Sequence, residues 1–244
     1  MVNVVVQPST RRASMIVAAG AVLGLLAFSV DAVDGTARQV MVALGSSGLA
    51  WGSAALLAGS TAPDRRSAVT GATALLASAI LVYYFLILVI SRRWSGGSLV
   101  DGSSADWYGL RSLGVMTTAW LLVSMVAGPS LGLLGQLART ARLPHAALAA
   151  GAACGLLSGE GWLRIAAAPP WRLWAVDGPE AAFARGLLAT EVVEVLVPLA
   201  MLAWLASVRR LWHAWPLVLL AMAVTATLSA GLWHLLRVAA NQLG

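Results

Sequence analysis

Residues 186–207 read GLLATEVVEVLVPLAMLAWLAS. The run is long enough to cross a bilayer, because about 20 helical residues at roughly 1.5 Å each cover the hydrocarbon core. It nevertheless carries Glu191 and Glu194 near one end and Pro198 in its middle. Three positions apart, the two glutamates project from one side of a helix. A carboxylate facing lipid costs about 3 kcal/mol on insertion scales, so that side is expected to meet a bundle interior, a water-filled cavity or the headgroup level.

The rest of the chain supports a membrane reading. Its 244 residues are 59% hydrophobic, with a mean hydropathy of +0.82, a balance that a soluble domain cannot cover with polar surface. Six further apolar runs flank the first one: Ala13–Val30, Val40–Gly59, Ala68–Ile90, Arg111–Leu134, Ala146–Gly159 and Ala214–Leu236. The expected fold class is therefore all-α: one transmembrane domain over 1–244, a bundle of seven spans. If the short fifth run does not cross, the count is six. Gly128-Pro129 in the fourth run should kink that helix or end it. The connection Trp162–Arg185 is rich in proline and tryptophan, and Leu163–Trp174 within it is expected at the membrane interface, broken at Pro169-Pro170. Trp94 and Trp107 also sit where an aromatic belt would be.

All sixteen basic residues are arginine, against ten acids, giving a net charge of +6. In a membrane chain this basic balance concerns headgroups and orientation rather than nucleic acid, and the expected partner is the lipid bilayer. Alternating seven spans puts Arg11, Arg12, Arg65, Arg66, Arg139, Arg142, Arg209 and Arg210 on one side, with Asp64 as the only acid there. Short loops with paired arginines face the cytoplasm, so the N terminus is expected inside the cell and the C terminus outside. Cys154 is the sole cysteine, which excludes an internal disulfide and a four-cysteine metal site.

The acids then fall at one level. Asp31, Asp34, Glu160, Glu191 and Glu194 lie near the outer ends of spans one, five and six, with His234 reaching that level from span seven. Arg38, Arg164 or Arg185 are the available counter-charges. Glu160, Glu191, Glu194, Asp31 and His234 are the candidate binding residues, and the three glutamates are the candidate catalytic ones. Clustered carboxylates at such a depth can bind cations or relay protons. A neutral and an ionised carboxyl can also act as general acid and base on a lipid-like or isoprenoid substrate. The simplest account is structural: Glu191 at the interface, Glu194 paired with an arginine, Asp31 and Asp34 in a loop. No HExxH, DDxxD or P-loop pattern occurs, and the GxSxG string at Gly128-Pro129-Ser130-Leu131-Gly132 lies within an apolar run rather than on a strand-to-helix elbow, so no metal or cofactor is indicated. Small-residue faces on spans two and five serve internal packing or self-association equally well, which leaves oligomeric state open.

The order of features resembles a family of small, uncharacterised integral membrane proteins found mainly in actinobacteria. Gly45-Ser46-Ser47-Gly48 through Ala58-Gly59 in span two, Tyr83-Tyr84 in span three, Ala127-Gly128-Pro129 followed by Gly132 in span four, and Gly159-Glu160-Gly161 carry the resemblance. It covers roughly residues 15–235. It implies a multi-span helical fold and a bacterial plasma-membrane setting, assigns no activity, and places Glu160 inside the shared pattern.

Overall fold

A computed structural model describes residues 8–30, 48–98 and 101–243. Asp31, Asp34, Arg38 and most of the Gly-Ser-Ser-Gly stretch lie outside the described residues. The helices are α1 (Pro8–Ser29), α2 (Gly48–Ser60), α3 (Arg65–Leu86), α4 (Asp106–Thr140), α5 (Leu143–Ala167), the short α6 (Pro170–Trp174), α7 (Ala181–Arg209) and α8 (Trp215–Leu243). Among the described residues there is no strand, only an isolated bridge between Ser98 and Ser104. Six helices are long and apolar enough to cross a membrane. The remaining expected span, the second, is represented by α2, and residues 40–47 of that run lie outside the described residues.

Helix ends follow local chemistry. Asp64 caps α3, accepting from the Ser67 backbone N–H at 2.9 Å and its hydroxyl at 2.8 Å. These bonds hold the Asp64 carboxyl below the usual carboxylate range. Beyond Leu86 the helix widens into a π turn, Ile87–Ser91, and stops at Arg92 in the left-handed region, φ 46°. α7 ends the same way at Arg210, φ 54°.

Interhelical contacts fix the directions. A Cβ on Gly20 would strike Leu75 and Ser78, and one on Gly24 would strike Ala79, so α1 and α3 run parallel from the same end. Gly128 lies against Thr73 and Gly132 against Ala68, so α4 runs antiparallel to α3. Gly151, Gly155 and Gly159 face Val218, Thr225 and Ser229 in order, so α5 and α8 are parallel. α7 returns along α5, its Arg209 donating to the Ala141 carbonyl at 3.2 Å. Arg139 donates to the Ala62 carbonyl at 2.8 Å. The arginines at the starts of α1 and α3 and at the junctions α4–α5 and α7–α8 are thereby gathered at one end, as the alternation of loops requires.

Two expectations are corrected, and at Pro129 one of the two expected outcomes, termination, does not occur. The fifth run does not stop at Gly159: α5 continues through Glu160 to Ala167 and is most of the way buried. Its glycines are contact points for α7 and α8 rather than a terminator, since small residues let membrane helices approach closely. Pro129 lies inside α4, which spans 35 residues without ending there. The residues Leu163–Ala167 belong to α5, and only α6 after Pro169 has the interfacial character, with Trp171 and Trp174 71% and 74% exposed.

The packing logic is testable at two glycines. A Cβ on Gly59 would strike the Gly132 backbone, whereas nothing lies within 4 Å of one on Gly231. Gly59→Ala is expected to lower stability in detergent unfolding by about 1–3 kcal/mol; Gly231→Ala should leave it unchanged or slightly raised.

Candidate functional site

The glutamate helix presents one continuous buried stripe. Thr190, Glu191, Glu194, Val195 and Pro198 are all buried, at the spacing of a single face of α7. Glu191 is 3% exposed and Glu194 1%. Glu194 stands 15 residues from Arg209, which is about 22 Å along the helix from the arginine end. Measured from the arginine end, that distance falls within the roughly 30 Å of a hydrocarbon core and towards its far side.

α5 brings the partners. Gly161 admits α7 closely: a Cβ there would lie 2.9 Å from Glu194 Cβ and 2.9 Å from a Val195 methyl. One turn of α5 separates Glu160 from Arg164, and Arg164 Nη2 donates to Glu160 Oε1 at 2.7 Å. The other edge of the same guanidinium faces α7, with Nε 3.2 Å from Glu194 Oε2. That approach is an ion pair without hydrogen-bond alignment, so Arg164 Nε and both Glu194 oxygens lack a hydrogen bond among the described residues. From α8, Arg237 Nη2 reaches Glu160 Oε1 at 3.2 Å. The Gly48 N–H of α2 approaches Glu160 Oε2 at 3.4 Å. Glu191 Oε2 has no hydrogen-bond partner among the described residues.

Of the candidate residues, Glu160, Glu191 and Glu194 therefore converge, and His234 does not. His234 is exposed on the outer surface of α8. Asp31 lies outside the described residues. Arg164 is the counter-charge the acids engage. Arg237, absent from the sequence reading, is the second cation, and its only sequence signal was its place one turn beyond His234. Arg185 makes no ion pair among the described residues.

Among the described residues the cluster holds three carboxylates against two guanidiniums. With every group ionised it carries one excess negative charge in a low-dielectric setting. No group of three or more His, Cys, Asp or Glu side chains suited to hold a metal occurs among the described residues. What the arrangement can accept is a single positive charge at the Glu191–Glu194 edge. Two cavities lie in the arginine half of the bundle, and neither is lined by these carboxylates.

Fold and site together define a multi-pass, all-helical integral membrane protein with a buried charge network. No family model, curated protein or solved structure matches the chain.

Removing one member of a buried ion pair strands the other, at a cost of about 3–5 kcal/mol. Arg164→Gln is therefore expected to destabilise the protein by that amount in detergent unfolding. Arg237→Gln should cost less, because the Arg237 side chain is 41% exposed against 23% for Arg164. Adding Glu160→Gln and Glu194→Gln to Arg164→Gln should recover part of the loss.

Proposed function

We propose that the protein binds a single small cation, a proton or a monovalent ion, at Glu191 and Glu194 and passes it across the bacterial plasma membrane. The observation that supports this most directly is the set of buried carboxylate oxygens on α7 that lack hydrogen bonds among the described residues. Unmatched negative charge at that depth is expensive unless something positive arrives, and intramembrane acids of this kind are those used in ion pathways. Arg164 serves as the resident competitor: it holds Glu160 firmly and Glu194 loosely, so an incoming charge can replace it at Glu194 without dissolving the network. The site supports a polar solute bearing one positive charge by the same reasoning. Membership in the actinobacterial membrane family belongs to this proposal, as does Asp31 as a residue along the route.

Cation flux into proteoliposomes, followed with a pH-sensitive dye and with tracer sodium or potassium, tests the reading. Wild-type protein should conduct one of these cations, and Glu194→Gln and Glu191→Gln should reduce flux at least about tenfold while the melting transition is retained. Flux no greater than in protein-free vesicles for every cation overturns it. A loss of melting stability with no flux in any form assigns the network to scaffolding.

The orientation is part of the same proposal, with the arginine end in the cytoplasm. A membrane-impermeant maleimide applied to intact cells should label Ser98→Cys and not Arg66→Cys. The opposite pattern inverts the protein.

A further inference from the structure

The arginine half of the bundle holds a second feature that the charge network does not use. α2 and α7 do not close against each other; Ser53 and Met201 meet across the gap at 4.0 Å, and below them it opens. The resulting crevice has a volume of about 220 Å³ and is floored by α4 and α5. Its walls are apolar, including Leu56, Gly135, Cys154, Leu157, Pro198 and Leu205. Its outer rim is formed by Leu57, Trp204 and Val208, which are 56%, 67% and 61% exposed. An apolar crevice with an apolar rim, set between α2 and the membrane-length α7, admits what the bilayer supplies.

One end of the crevice is different. Arg139 and Arg209 both line it, at the end of the bundle where the arginine loops gather. Each guanidinium spends one Nη2 N–H on a backbone carbonyl, Arg139 on Ala62 and Arg209 on Ala141. Those bonds fix the two groups and leave further donors, since a guanidinium has five N–H. No carboxylate lines the crevice. Asp64, the single acid of these arginine loops, is committed to Ser67. Two fixed cations over an apolar slot match a ligand with an anionic head and a hydrocarbon tail.

We propose that this crevice is a binding site for one anionic phospholipid, its phosphate held by Arg139 and Arg209 and one acyl chain lying along α7 towards Pro198 and Leu157. The lipid closes the gap between α2 and α7. The site is independent of the cation reading, because it shares no residue with the glutamate network.

Native mass spectrometry of the detergent-purified protein, titrated with phosphatidylglycerol or phosphatidylcholine of identical chains, tests this. One phosphatidylglycerol should bind at a concentration at least roughly fivefold lower than phosphatidylcholine, and Arg139→Gln or Arg209→Gln should each weaken it by about fivefold. Arg139→Lys should retain most of the preference. Arg66→Gln removes an equal charge at the same end from an exposed position outside the crevice, and should leave binding within about twofold of wild type. Equal binding of the two lipids overturns the proposal, as does a loss with Arg66→Gln as large as with Arg209→Gln. Displacement of the lipid by glycerol phosphate alone, at concentrations matching the lipid, overturns the acyl-chain part. Cys154 gives a second readout on the unmutated protein. As the chain's sole cysteine and a lining residue, it should react more slowly with N-ethylmaleimide in phosphatidylglycerol than in phosphatidylcholine. Equal rates count against occupancy.

Discussion

The side chains of α5 are mostly small, and the arrangement of the other helices follows from that. Between Ala146 and Gly161 the buried residues are alanine and glycine with few exceptions, so the backbone itself is the contact surface. α8 lies along it closely enough for Thr225 to donate to the Ala152 carbonyl at 3.1 Å and Ser229 to the Leu156 carbonyl at 3.0 Å. Water is absent from the hydrocarbon core, so association there rests on such contacts and on van der Waals packing rather than on a hydrophobic drive. The same bareness at Gly161 lets α7 bring Glu194 against α5. Larger residues at these positions would separate α5 from both neighbours, and the Arg164–Glu194 approach with them.

Charge pairing is the second constraint. Arg164 is shared between two helices, and Arg237 adds a third to the same carboxylate. The result is a tie among α5, α7 and α8 near the end of the bundle opposite the gathered arginines. Buried pairs of this sort add little net stability over an apolar core of equal volume. Their effect is on register: sliding α7 by one turn would take Glu194 away from Arg164 and leave both charges in a low-dielectric environment.

Much of this was legible in the residues alone. Apolar length and the spacing of arginine loops were enough for the spans and for the common end of Arg65, Arg139 and Arg209. The i,i+3 spacing was enough to put Glu191 and Glu194 on one side. The end of α5 was misread because Ser158-Gly159-Glu160-Gly161 looks like a helix stop when judged by propensity, and propensity yields to packing where neighbouring backbones press on the glycines. The fate of His234 and Arg237 depended on rotation about α8, which composition does not reveal. Taking Ser229 as the face towards α5, His234 lies roughly 140° round the helix and Arg237 roughly 80°. A long side chain can cover the second angle but no imidazole covers the first. The partner of Glu194 was not decidable from sequence either, because Arg38, Arg164 and Arg185 were all available as counter-charges and only the tertiary fold selects one.

The placement of Glu160 and Arg164 on a single turn also bears on how the chain enters the bilayer during synthesis. α5 is made before α7 and carries its acid and base already joined, so it presents the insertion machinery with a neutral pair rather than two isolated charges. The helix that follows brings Glu191 and Glu194, which unpaired would resist partition into lipid. By then a guanidinium is waiting in the membrane with one edge unspent. Reversing the order of the two helices would send the uncompensated carboxylates in first.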